Sequence, residues 1–163
     1  MKAFTLIELL VAVAVIAILA AIAVPNFLAA QTRSKAAAAV ADLRTIRTAL
    51  EAYAVDENTY PLNAGGIGLP GALLNLTRPV AYLTALPVDP FTEAGTNYFY
   101  LAAARVSPLS EERYGKFVLA SVGPDRKLDT TLSSALRYDP TNGTVSDGDI
   151  LYTHRDGTEA ASR

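Results

Sequence analysis

Hydrophobic and polar positions divide this chain into three stretches, each with its own period. From Phe4 to Val24 the sequence reads FTLIELLVAVAVIAILAAIAV, a run of 21 residues with Glu8 as its single charge. As a helix rising about 1.5 Å per residue it is roughly 31 Å long, the thickness of a bilayer's hydrocarbon core. Thirteen of its positions are Phe, Leu, Ile or Val. Each favours insertion by roughly 0.3–0.6 kcal/mol, and together they outweigh a carboxylate that costs about 3 kcal/mol even at mid-span. The run is expected to enter a membrane as a helix. Pro25 closes it, and the pattern then changes.

From Asn26 to about Asp56 the apolar residues return at helical spacing. Val40, Leu43, Ile46, Leu50 and Tyr53 are separated by three, three, four and three, which is one face of a 3.6-residue period. Arg33, Lys35, Asp42, Arg44, Arg47 and Glu51 fall largely off that stripe, and Glu51 follows Arg47 by four in the less favourable orientation for a helical pair. The stripe is the core-facing side of a helix on which a head packs. If Pro25 only kinks the chain, one rod of about 50 residues, roughly 75 Å, runs from the membrane to beneath that head.

Beyond Asp56 the chain is punctuated by glycine and proline. Residues 63–71 (NAGGIGLPG) form a loop by composition, residues 71–76 (GALLNL) suit a short helix, and Pro79, Pro87 and Pro90 exclude anything long between 78 and 91. Strand-like runs follow at Asn97–Ala102, Lys116–Val122 and Asp149–Thr153, separated by Gly123-Pro124-Asp125 and by residues 139–143 (DPTNG). The expected fold is α+β: a long N-terminal helix packed against a small antiparallel sheet of three or four strands.

Composition narrows the function. At 163 residues the chain is one domain with an appendage. There is no cysteine, which removes disulfides, thiolate metal sites and thiol catalysis together. Fourteen basic side chains against sixteen acidic ones leave no cationic surplus for nucleic acid. The single histidine, His154, is expected in a solvated tail after the last strand. Ser121-Val122-Gly123 has no second histidine as base, and Gly65-Gly66-x-Gly68 lacks the strand and helix of a phosphate loop. The eight tyrosines suit core positions with the hydroxyl at an edge. An enzyme is the weaker reading. The apolar run has two plain readings. One is a cleaved secretory signal, with Lys2 before an apolar Leu9–Ala20 and a small-residue site at Ala21-Ile22-Ala23, which makes the remainder a soluble periplasmic protein. The other is a simple anchor, which leaves Glu8 uncompensated; an ionisable group in a spanning segment calls for a partner.

Residues 2–10 (KAFTLIELL) resemble the processing motif of type IV prepilin-like proteins. The resemblance implies that residues 1–3 are a leader, that a prepilin peptidase cuts between Ala3 and Phe4, and that the new Phe4 amine is methylated. It further implies that residues 4–25 form a membrane and filament-core helix, residues 26–56 its amphipathic continuation, and residues 57–163 the head. Ala3 departs from the glycine usual before the cut, while Pro25 falls where many members have proline. In such a family Glu8 of one subunit meets the Phe4 amine of its neighbour. A buried pair of this kind adds little net stability but penalises wrong registers, because breaking it strands a charge.

Within the head, Tyr53-x-x-Asp56-Glu57-Asn58-x-Tyr60-Pro61, Leu86-Pro87-x-Asp89-Pro90-Phe91 with Tyr98-x-Tyr100, Ser121-x-Gly123-Pro124-Asp125, and Asp147-Gly148-Asp149-Ile150 resemble, in order, motifs of the major pseudopilins of type II secretion systems. Phe91 stands where tryptophan is usual, and the stretches 92–96 and 127–145 are longer than the family's. The resemblance implies a homo-oligomeric pseudopilus, with minor pseudopilins and an inner-membrane assembly platform as partners and the head in the bacterial periplasm. A type IV pilin-like surface fibre for adhesion, motility or DNA uptake is the alternative, although the lack of cysteine favours the pseudopilin. It also implies Ca²⁺ in the C-terminal loop, with Asp125, Asp149 and Asp147 as the matching ligands and Asp129, Ser146 and Asn142 nearby. The plain alternative is that these Asp-Gly and Asp-Pro clusters only form turns.

Overall fold

The structure is a computed structural model, and it describes residues 5–62, 70–92, 96–102, 108–129, 136–139, 141 and 146–155. Ala3, Phe4, Asn142 and most of the 63–71 loop lie outside the described residues. The first element is helix α1, Leu6–Glu57, 52 residues long, or roughly 78 Å. Thr5 caps it from an extended conformation, and Asn58 ends it in the left-handed region at φ 53°. Pro25 lies inside the helix. It removes one backbone donor without ending the rod, so the two halves expected from the sequence form one element.

The halves differ in what surrounds them. Ala36, Ala39, Leu43, Ile46, Ala49 and Leu50 are buried, while every large apolar side chain from Leu6 to Leu28 is exposed, from 81% at Leu6 to 51% at Leu28. The stripe read from the sequence is therefore the head's footing. The alanines that complete it were invisible to that reading, because the surrounding segment is alanine-rich on every face.

The sheet has three antiparallel strands in the order β1-β2-β3, with β1 at Phe99–Leu101, β2 at Val118–Ser121 and β3 at Ile150–Thr153. Tyr100, Leu119 and Tyr152 stand opposite one another across it. They join the core shared with Leu43, Ile46, Leu50, Leu73 and Leu76. The alternate positions Leu101, Val118, Ala120 and Leu151 form a second cluster with Tyr114, which comes from helix α2, Pro108–Tyr114. That helix, between β1 and β2, was not expected from the sequence. It explains why β2 and β3 are buried at every position instead of alternating.

β1 and β2 are shorter than expected at both ends and β3 by one residue at its start, and the 71–76 helix is a 3-10 helix, Pro70–Leu76. His154 corrects the tail expectation. Its amide donates to the Phe117 carbonyl at 3.0 Å, and its ring packs edge-on against Tyr60 and Phe117 at 5.9 and 5.6 Å between centroids. A polar residue among Arg155 and Asp156 gave no sign of the aromatic pocket that holds it.

Asp89 pins the connection between the 3-10 helix and the sheet. Only 2% exposed, it accepts the Phe91 amide through Oδ1 at 2.9 Å and the Val122 amide through Oδ2 at 3.2 Å, so both oxygens of a buried carboxylate are used. Truncating Ile46, which is fully buried at the centre of the footing, tests the fold. Ile46→Ala should destabilise the head by about 2–5 kcal/mol, read as a lowered urea midpoint with unchanged slope for the full chain in detergent.

Candidate functional site

The candidate site begins at the helix's N-terminus. Thr5-x-x-Glu8 is a capping box, a pattern present in the sequence and not used in reading it. The Glu8 carboxylate accepts the Thr5 amide at 2.8 Å and the Thr5 hydroxyl at 2.7 Å, both through Oε2. The Glu8 amide donates to Thr5 Oγ1 at 3.3 Å. The carboxylate is therefore held within its own chain. Pro25 sits exposed on the same rod, 17 positions beyond Glu8 in the sequence.

Past Pro25 four of the polar residues on the helix, Asp42, Arg47, Glu51 and Asp56, each meet a tyrosine hydroxyl. The Tyr98 hydroxyl donates to Asp42 at 2.7 Å, Arg47 donates to the Tyr152 hydroxyl at 2.7 Å, and the hydroxyls of Tyr60 and Tyr82 donate to Glu51 and Asp56, both at 2.8 Å. Arg47 also lies over the Tyr152 ring, 5.1 Å from its centroid, and pairs with Glu51 at 3.7 Å. The sequence showed the tyrosines and the charges separately. Their pairing depends on register across 9 to 105 residues, which no local pattern carries. The Tyr-x-x-Asp…Tyr-Pro motif now has a physical meaning: Tyr53 packs edge-on to Tyr82 at 5.6 Å, and the Pro61 carbonyl accepts the Tyr100 hydroxyl at 3.0 Å, which straps the helix end onto the sheet.

The C-terminal loop brings two distant motifs together. At Gly123 (φ +71°) an added Cβ would stand 2.5 Å from the Gly148 carbonyl oxygen and 3.9 Å from Asp125 Oδ1. Only glycine permits that approach. Asp125 Oδ1 accepts the Lys127 amide and Asp129 Oδ2 accepts the Gly148 amide, each at 3.2 Å. Burial pushes the Asp125 carboxyl above its ordinary range, with the charges of Asp129 and Asp147 adding to it. Asp149 is fully buried in its bridge beside Arg137. These carboxylate oxygens are of the hard kind Ca²⁺ takes. Among the described residues no three acidic or histidine side chains converge into one metal cup. Asp129, outside the motif match, is the carboxylate that stitches the two halves of the loop.

The chain's likeness to known proteins follows the same division. Residues 1–24 match the prokaryotic N-terminal methylation motif, and residues 26–136 match the model for type II secretion system protein G. The chain belongs to the type II secretion protein G family. It is 35% identical over 130 residues to the type II secretion system core protein G of Pseudomonas aeruginosa, covering 76% of this chain and 84% of that one. It is 30% identical over 135 residues to the protein of the same name in Pectobacterium carotovorum, 76% of each. A type IV wide pilus major component of Thermus thermophilus is 39% identical over 87 residues, 52% of this chain and 66% of that one. No solved structure matches the chain.

The tyrosine contacts define an alkaline response. The hydrogen bond to Asp56 is the main cause that raises the Tyr82 hydroxyl to about 12. Burial, reinforced by Asp42, raises Tyr98 as well. A group whose folded value is raised stabilises fully below its unfolded value, about 10 for tyrosine, and loses that contribution as pH climbs through the folded value. Titration of the full chain by tyrosinate absorbance should show Tyr82 ionising near pH 12, and Asp56→Asn should move that step downward toward the ordinary range.

Proposed function

We propose that this pseudopilin-family chain is a structural subunit, not an enzyme, that assembles through its apolar N-terminal helix into the pseudopilus of a type II secretion machine. One observation supports the reading above others: a single helix carries a wholly exposed apolar half, whose best membrane-length window is 0% buried, directly into a half buried beneath a compact head. The exposed half demands lipid first and like helices afterwards. In this reading a prepilin peptidase cuts between Ala3 and Phe4 and the Phe4 amine is methylated. The head stands in the periplasm, the rod is held single-pass in the inner membrane, and minor pseudopilins and an assembly platform direct growth. Lengthening of the filament then pushes exported proteins outward.

Thr5 gives Glu8 an interim partner. The carboxylate waits in its capping box until a neighbour's Phe4 ammonium supplies a full charge, so the exchange couples lateral packing to register. The pilus relative from Thermus thermophilus supports a second reading, a surface fibre. The protein G match extends through the head to residue 136 and favours secretion.

Intact-mass and N-terminal analysis of chain purified from membranes should find a methylated Phe4 as first residue; a start at Val24 would leave a soluble periplasmic protein and end this reading. Glu8→Ala should still insert and be cut. Its filament yield should fall by more than about tenfold, since leaving one member of a buried pair unpaired costs about 3–5 kcal/mol.

We also propose that Ca²⁺ orders the C-terminal loop by drawing together Asp125, Asp147 and Asp149, which form no cup by themselves, in place of a covalent staple in a chain without cysteine. With free calcium near one hundred times its Kd the ion would contribute about 2.7 kcal/mol. EGTA should therefore lower the melting temperature by several degrees, and an unchanged transition would remove the ion.

A further inference from the structure

The charges nearest the apolar rod have one sign. Between Glu8 and Asp42 helix α1 carries no acid, and its only charges there are Arg33 and Lys35. Arg33 stands five residues beyond Leu28, where the exposed apolar run ends, and Lys35 seven, or roughly 7.5 and 10.5 Å along the axis. Side chains on a helix lean toward its N-terminus, so both cations reach back toward the rod. Arg33 is exposed and Lys35 half-buried, and among the described residues neither enters an ion pair. Two residues apart, they stand about 160° from each other around the helix. That spacing suits no single docking face. It suits a partner that surrounds the helix at one depth.

The head reaches the same depth with its lower rim. Strand β3 climbs beside the helix: Tyr152 accepts Arg47, and His154, two residues later, packs on Tyr60, whose hydroxyl reaches Glu51. The other end of β3 therefore faces the rod. There Arg137 bridges Asp149 in parallel with the strand, so Leu136 lies lower on the rim than Tyr138. Tyr138 is half-buried. Burial raises its hydroxyl and the Arg33 charge acts the other way, which puts the ring within electrostatic reach of Arg33. Leu136 is 52% exposed. Tyrosine, leucine and long cationic side chains together suit a membrane–water interface. One acid faces the same place: Asp139 also acts on Tyr138, and its Oδ1 accepts the Thr141 amide and hydroxyl at 2.8 and 2.7 Å. Two cations on the helix against that carboxylate leave the collar positive.

We propose that Arg33 and Lys35, with Tyr138 and Leu136 on the rim beside them, bind the headgroups of anionic phospholipids and so fix how deeply the rod sits in the bilayer. The proposal rests on the reading of the apolar half as a membrane-spanning helix and adds to it a lipid-binding collar. Headgroups add about 5–7 Å on each side of a hydrocarbon core of about 30 Å, which is the layer the two cations reach. Arg33 and Glu8 are 25 residues apart, roughly 38 Å, close to the full bilayer thickness of about 40–45 Å. With the collar on the phosphates of one leaflet, the Glu8 carboxylate and its Thr5 cap come up against the headgroup layer of the other. The collar also accounts for cations on an unfavoured side. Lys and Arg flanking a spanning helix ordinarily collect on the cytoplasmic side, yet only Lys2 precedes the rod, whereas Arg33, Lys35 and Arg44 follow it. With the head in the periplasm, as proposed above, the two nearest the rod serve anionic headgroups on that face.

Lipid retention tests the collar. The full chain is reconstituted in bilayers that mix phosphatidylglycerol with phosphatidylcholine, re-extracted in mild detergent, and its bound lipid counted by native mass spectrometry. Phosphatidylglycerol should be enriched over its share of the bilayer. Each Lys or Arg close to an anionic surface contributes about a fivefold preference, so Arg33→Gln or Lys35→Gln alone should lower the enrichment about fivefold, and both together further. Arg44→Gln lies roughly 16 Å farther up the axis, beyond a Debye length of about 10 Å, and should leave it unchanged. Raising salt from about 0.1 M to about 1 M shrinks that length to about 3 Å and should release the lipid. Because the chain has no cysteine, a spin label on Ser34→Cys reports depth without background. It should sit among the headgroups of the mixed bilayer and shift when Arg33 and Lys35 are both Gln. Equal retention by the unsubstituted chain and the Gln variants, with a depth indifferent to lipid charge, overturns the proposal and leaves the membrane reading standing. A label on Ala14→Cys that water-soluble relaxants reach as readily as one on Ser34→Cys removes both. Gln variants that keep the lipid but lose filaments make a second copy the occupant and likewise overturn it.

Discussion

One helix in two surroundings is the constraint behind this molecule. From Leu6 to Leu28 the large apolar side chains of the helix are exposed, and from Ala36 to Leu50 one side of it is the floor of the head's core. A helix satisfies its own backbone hydrogen bonds wherever it lies, which is why a single element can cross from hydrocarbon to water without a joint. What changes is only the side chains. Large aliphatic residues on all faces serve the first surrounding, and a single stripe of them serves the second. The head's position follows, because the stripe begins where the all-round apolar surface ends.

Glu8 breaks the uniformity of the first half, and the structure shows how the chain carries it. A bare carboxylate in hydrocarbon would be costly to insert. Folding it back on the Thr5 amide and hydroxyl satisfies a helix-end donor and the acid at once. The one charge in the apolar half is thus tolerable in a single chain, and it stays within the first turn of the helix.

Much of the fold was legible from the sequence because it rests on local periodicity. The apolar run, the Val40–Tyr53 stripe, the three strand regions and the turn clusters all announce themselves within ten or twenty residues. What stayed hidden depended on distant register. Helix α2 has seven residues, too few for a period to emerge, yet its Tyr114 closes the back of the sheet. The Asp89 clamp joins residues 33 apart, and the pocket around His154 is made by Tyr60 and Phe117. At the candidate site the balance was similar. Glu8 stood out by being alone, whereas its bond to Thr5 was written in a capping pattern that the oily context obscured. Asp125, Asp147 and Asp149 stood out by motif, and Asp129, in the longer insertion, did not.

The tyrosine contacts between head and helix have a mechanical side. They attach at Asp42, Arg47, Glu51 and Asp56, points spread along roughly 21 Å of the rod. A force that drags the rod along its axis while the head meets resistance loads these four attachments, and the buried stripe beneath them, side by side in shear. They are not peeled open one after another. Rupture then requires several contacts to yield in one step, so resistance to tearing is governed by a high unfolding barrier. A subunit built this way transmits thrust through its shaft to its cap without a covalent weld between them.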